Sequence, residues 1–146
     1  MVENAFQSRK LARDFAYKLI FEYIFNRDDV SMIDPAVKDT MLQAPELKQK
    51  DIDYINNVVD GVKDKYDELT SLISKYAKNF KIERIFKPDL AALLLATYEM
   101  KYCEDIPPKV SISEAIEIVG EYSTDKSKSF VNGVLAGIYK EIFGVC

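Results

Sequence analysis

Apolar residues recur at three- and four-residue steps along most of the chain, and nowhere is there the strict alternation of a half-buried strand. Leu11, Ala12, Phe15, Ala16, Leu19, Ile20 and Tyr23 share one side of a helical wheel. They predict a first helix capped by Ser8 and running to about Asn26. Asp34-Pro35 supplies a cap followed by a first-turn proline, for a short helix toward Gln43 that Pro45 ends. From Ile52 through Ile55, Val59, Val62, Tyr66, Leu69, Ile73 and Tyr76 to Phe80 the helical step continues. That run is too long for one uncapped helix, so it divides near Lys63–Asp67. A turn at Ile82–Ile85 precedes Pro88, which opens "PDLAALLLATYEMKY". Leu90–Tyr102 is apolar nearly all round and so belongs at the centre of the fold. "EDIPPK" (Glu104–Lys109) breaks the chain, and "SISE" at Ser111–Glu114 reads as a capping box leading into "AIEIVGEY". Ser123–Ser129 begins the last helix, which ends near Phe143.

The last helix contains Asn132-Gly133, a pair that would mark a hairpin between strands. Its neighbours follow a helical period instead. Val131, Val134, Leu135, Ile138 and Ile142 share a face, with Phe130 at its edge. Gly133 and Gly137 lie on one flank, where bare backbone admits either another helix or a ligand. The pattern as a whole gives an all-α single domain spanning residues 1–146, a compact bundle of about seven helices.

Composition narrows the chemistry. The 146 residues are 48% hydrophobic and 30% charged, the balance of an ordinary globule. There is no histidine, which removes the commonest general base and metal ligand. No phosphate-binding glycine loop or EF-hand carboxylate cluster occurs. The expectation is no catalytic residue, no metal and no cofactor. Cys103 is expected to pack inside the bundle and Cys146 to be a free thiol, as suits a reducing cytosol. No secretory leader is apparent, and Leu90–Tyr102 falls short of the about 20 residues needed to span a bilayer. A cytoplasmic protein with no membrane segment is the reading.

A net charge of −4 gives no global attraction to nucleic acid, so an RNA-binding surface would have to be local. Two basic groups qualify. Arg9, Lys10 and Arg13 sit in the first turns of the first helix, where the helix dipole disfavours cations by about 0.3–1 kcal/mol each. Lys126 and Lys128 open the last helix, and the two groups form one patch only if those helix starts lie together. Glu99 falls among Ala92, Leu95 and Ala96, where a buried ion pair with Lys or Arg is favoured over a catalytic role. Phe21 lies opposite the first helix's core face, beside Lys10, Asp14 and Tyr17. It serves either a second helix layer, the favoured reading on pattern alone, or a partner.

"SRKLAR", "VDGVKDKYDELTSLISKYAKNFKIERI", "KPDLAALLLATYEMKYCEDIPPKVSISEAIEIV" and "KSFVNGVL" resemble, in order and spacing, the NusB transcription-antitermination family across nearly the whole chain. The resemblance implies two three-helix subbundles and a non-enzymatic factor. Such a factor binds boxA-like single-stranded RNA together with a small-subunit ribosomal protein, NusE, and holds an RNA polymerase elongation complex in a terminator-resistant state. Carried over residue by residue, RNA contacts fall on Arg9, Lys10, Arg13, Lys126, Lys128 and Phe130, with Phe130 stacking on a base. Phe21, Glu83 and Asp89 face the ribosomal protein, which reverses the pattern-only reading of Phe21. The chain departs from the family pattern in a less arginine-rich start, with Glu3 and Leu11, and in Lys126 where an acidic residue is usual. Two alternatives share the fold: a homodimeric helical scaffold, and a stand-alone relative of the RNA-binding domain of ribosomal RNA cytosine methyltransferases.

Overall fold

A computed structural model describes the backbone of residues 2–27, 43–78 and 80–144, and the side chains within these from Ser8 onward. Among them six α-helices follow in order: α1 (Val2–Asn26), α2 (Gln49–Asp64), α3 (Tyr66–Tyr76), α4 (Lys87–Tyr102), α5 (Pro108–Tyr122) and α6 (Asp125–Phe143). A single 3-10 turn, Ile82–Arg84, sits ahead of α4. The short helix expected from Pro35 lies outside the described residues, as does Cys146.

Every residue from Asp89 to Met100 is buried, so α4 has no solvent face. It packs against each of the other five helices. α1 and α2 close one three-helix group around it, and α5 and α6 close the other, with α3 laid against α4 and α6. The all-round apolar stretch in the sequence is the cause: a helix without a polar stripe is stable only when surrounded. The division of the long periodic run falls at Lys65, between α2 and α3.

Three local expectations are corrected. Ser8 caps nothing, because α1 begins at Val2 and Ser8 is buried within it. Ser111 is not an N-cap either: Pro107 and Pro108 set the start of α5, since proline at the first helical position wastes no backbone donor. The Ser111 hydroxyl is thereby free to bond elsewhere. Phe80 lies beyond the end of α3 at Tyr76 and is 48% exposed, so it leaves the core row it seemed to continue. By contrast α6 starts as a capped helix should, Thr124 accepting the Ser127 backbone N–H at 3.2 Å.

Val131, Val134, Leu135 and Ile138 are buried as expected on α6, with Ile142 half-buried beside them. The two glycines of this helix separate in role. A Cβ on Gly137 would stand 2.4 Å from the Tyr76 ring, so the bare backbone is what lets α3 approach α6. A Cβ on Gly133 would meet nothing within 4 Å. Gly137→Ala is therefore expected to destabilise by about 1–3 kcal/mol through overpacking. Gly133→Ala should be neutral or stabilise by up to about 1 kcal/mol through helix propensity. Urea denaturation of the two variants checks the opposite signs.

Candidate nucleic-acid interface

The first basic group is held inward by its own carboxylates. Arg13 is 5% exposed, and its Nε donates to Glu99 Oε2 at 3.0 Å while Nη2 donates to Oε1 at 3.4 Å. Glu99 is fully buried, and it also accepts from the Tyr54 hydroxyl and, at 2.8 Å, from Ser111 Oγ. Burial alone would lower the Arg13 pKa, but the neighbouring Tyr54 and Glu99 outweigh it and raise it further, so the cation persists. Burial, with Glu99 alongside, pushes the Tyr54 hydroxyl well above its ordinary value, so it remains a donor. The buried ion pair expected at Glu99 is present, and Arg13 is its partner.

Arg9 donates from Nε to Asp51 Oδ1 at 3.0 Å and lies over the Tyr54 ring, 4.5 Å from its centroid. Burial pushes the Asp51 carboxyl up, yet hydrogen bonds from Ser8, Arg9 and the Lys48 backbone N–H prevail and hold it below the usual range. Lys10 Nζ donates to Glu114 at 3.3 Å and to Glu117 at 2.8 Å on α5. Three cations thus face four carboxylates, Asp51, Glu99, Glu114 and Glu117. The exposed basic cluster expected on α1 is corrected in one respect: Arg13 is interior, because the four-donor site around Glu99 needs a cation.

The second basic group meets α5 nearer its C-terminal end. Lys10 meets α5 at Glu114 and Glu117, whereas the Tyr17 ring stacks on Tyr122 at the far end of α5, centroids 5.6 Å apart. Asp14, Glu117 and Glu121 line the interval. Lys128 lies over Gly120, three residues from the Glu117 that holds Lys10, so acidic side chains rather than a wide gap stand between the two groups.

At the start of α6, Lys126 is exposed and Phe130 half-buried. The Phe130 ring meets Phe80 edge to face, centroids 5.2 Å apart. Lys128 lies back over Gly120, with its Nζ 3.8 Å from Asp125. Arg84, Phe86 and Phe80 complete a groove of about 320 Å³ with Lys126 and Phe130. Sequence reasoning missed Phe86 and Arg84, and placed Phe80 in a helix. The signal that could have found them is the crowding of aromatic and basic residues in "NFKIERIFK", a stretch with no helical period.

Of the expected partner residues, Phe21 and Glu83 fall outside this groove, whereas Asp89 lines it. Phe21 is half-buried and packs against the core on one side and Phe25 on the other, ring centroids 6.2 Å apart. Phe25 is 64% exposed with Lys87 Nζ over its ring, so an apolar surface does reach solvent here. Tyr17, by contrast, is core: it is buried and its hydroxyl donates to the Pro88 carbonyl at 3.1 Å. Glu83 is exposed and lines a groove of about 420 Å³ with Arg27, Tyr66 and Lys87. Asp89 departs from expectation: it is 5% exposed and accepts from Ser123 Oγ at 3.1 Å and Ser127 Oγ at 2.9 Å. Burial lifts its pKa although the two serines work the other way. Its structural work is to tie the start of α4 to the start of α6.

No group of three or more His, Cys, Asp or Glu could hold a metal among the described residues. Burial pushes the Cys103 thiol up to about 11, so it is protonated and unreactive at neutral pH. No helix among the described residues is long and apolar enough to cross a membrane.

Removing one partner of a buried pair strands the other, at a cost of about 3–5 kcal/mol. Glu99→Ala and Arg13→Ala should each lose stability of that order in urea denaturation. The double change Arg13→Met with Glu99→Leu should lose much less, because no charge is left buried.

Known proteins resemble this chain over most of its length. The sequence model of the NusB family covers residues 10–140. The transcription antitermination protein NusB of Clostridium botulinum (strain Kyoto / Type A2) is 38% identical over 138 residues, covering 88% of this chain and 96% of its own. The NusB of Natranaerobius thermophilus is 36% identical over 136 residues, with 92% and 96% covered. Among solved structures, T. maritima NusB superposes with a TM-score of 0.79 at 31% identity, covering 94% of this chain and 97% of that one. A crystal structure of antitermination factors NusB and NusE in complex with double-stranded RNA gives 0.76 at 25% identity, with 92% and 98% covered. The extent of these matches, and a fold built on the same helices, make this chain a member of the NusB family.

Proposed function

We propose that the protein is an RNA-binding transcription antitermination factor. It binds boxA-type single-stranded RNA in ribosomal RNA leader transcripts, in company with the small-subunit ribosomal protein NusE. The assembled complex then acts on an elongating RNA polymerase in the cytoplasm. The observation that carries this reading is near full-length similarity to proteins of that name, coupled with likeness to a NusB bound to both NusE and RNA. The local chemistry supports it: exposed cations and aromatic rings share one groove at the start of α6. The exposed Phe25 ring beside Phe21 offers a second surface suited to a protein. A binding role rather than catalysis follows from the same inventory, since the chain has no histidine and its buried carboxylates are saturated by donors.

The α1 cations enter this function in a restricted way. Arg9 and Lys10 are half-buried at an edge where phosphate would compete with Asp51, Glu114 and Glu117. Lys126 faces no such competitor within salt-bridge distance among the described residues. It should therefore carry more of the phosphate attraction.

Fluorescence anisotropy with a boxA-like single strand, with and without NusE, tests the reading. Binding that strengthens when NusE is present is expected, and no binding in either condition at low salt would contradict it. Lys126→Ala should weaken RNA binding and lower the salt slope by about one. Phe21→Ala should leave RNA binding intact and weaken NusE binding by about tenfold, the scale of a buried aromatic anchor.

A further inference from the structure

Two large, exposed aromatic side chains flank the groove at the start of α6. Phe80 is 48% exposed and Phe86 is 59% exposed, on either side of the 3-10 turn Ile82–Arg84. That turn holds them by a short chain of backbone bonds, Arg84 N–H to the Lys81 carbonyl at 2.9 Å and Ile85 N–H to the Ile82 carbonyl at 3.2 Å. Ile85 is buried and anchors the turn to the core. The rings therefore project from a fixed scaffold. Phe80 also braces the edge of Phe130 at 5.2 Å, so one aromatic wall is assembled from two distant segments.

Cations outnumber carboxylates where this wall meets solvent, although Glu83 on the same turn and Asp125 beside Lys126 are exposed as well. Arg84 and Lys126 line the groove and are exposed, and Lys81 and Lys87 are exposed on the same short segment. The carboxylate of Asp89 lies at the groove's inner side but is already bound by Ser123 and Ser127. Glu83 lines the other groove, with Arg27 and Lys87. A lining of rings with a cationic rim suits a ligand that is flat, aromatic and anionic at its edges. A nucleobase with flanking phosphates has that form, whereas an apolar peptide would leave the cations unmatched.

We propose that Phe80 and Phe86, together with Phe130, form a base-stacking groove for an unpaired nucleotide of single-stranded RNA, with Arg84 and Lys126 on the flanking phosphates. This rests on the RNA-binding reading above and adds Phe80, Arg84 and Phe86 to it. The groove takes over part of the phosphate attraction that the α1 cations, engaged by carboxylates, supply weakly. Stacking tolerates any base, so these residues add affinity rather than sequence preference.

The test uses the full chain and a labelled boxA-like single strand, read by anisotropy, with NusE binding measured in parallel. Phe80→Ala and Phe86→Ala should each weaken RNA binding about tenfold, on the scale of one lost base stack. Phe86→Trp should restore it, since any aromatic face serves. Both positions are surface sites, so circular dichroism melting should be unchanged. In strands with single abasic substitutions, one position should become insensitive to Phe86→Ala. Wild-type binding with both alanine variants unaffected would overturn the groove and leave the RNA reading standing. Loss of NusE binding with RNA binding unchanged would also overturn it, by making the groove a protein dock. Failure of the wild type to bind RNA, alone or with NusE, would overturn both.

Discussion

The carboxylate of Glu99 holds the bundle together at one point. It sits on the central helix, fully buried, and takes donors from α1 (Arg13), α2 (Tyr54) and α5 (Ser111). A carboxylate in such a place is tolerable only if a cation and enough hydrogen bonds replace its water. That requirement fixes which face of α1 turns inward and how α5 enters, after its two prolines, with Ser111 in reach. The pair is better regarded as a device that sets register between helices than as a source of net stability. Apolar burial along α4, from Leu90 to Met100, supplies the larger driving force.

The same constraint redistributes the protein's charge. A basic cluster written at the start of α1 looks like a ligand surface in one dimension, yet the fold spends Arg13 on Glu99, engages Arg9 with Asp51 and bridges Lys10 to α5. The positive charge still open to solvent with aromatic company lies around Arg84 and Lys126. In a protein of net charge −4, such local concentration is what gives an anionic ligand somewhere to go.

Much of this was legible before any coordinates. The helical period located the division at Lys65, the central helix and the core face of α6, because each depends only on neighbours along the chain. A buried ion pair was predictable from one acid in an apolar row. Its cation was not, since Arg13 and Glu99 are 86 residues apart and nothing local distinguishes Arg13 from Lys10. Capping rules misplaced Ser8 and Ser111 because both hydroxyls are taken up in tertiary bonds, to Asp51 and Glu99. The resemblance implied an Asp89 turned to a partner; its burial under two serines of the α5–α6 junction, 34 and 38 residues away, has no local signature. Phe80 and Phe86 were hidden for the opposite reason: they belong to a stretch with no period, and only the bundle brings them to Phe130.

The proposed function therefore rests on a division between cations that build the bundle and cations left open to an RNA ligand. NMR on the protein titrated with boxA-like RNA addresses that division directly, through the Arg13 Nε–H resonance and the ring signals of the groove phenylalanines. The expected result is an Arg13 signal that stays in place while the Phe80, Phe86 and Phe130 rings shift. An Arg13 signal that moves or broadens on RNA addition, with the three rings unperturbed, would contradict it.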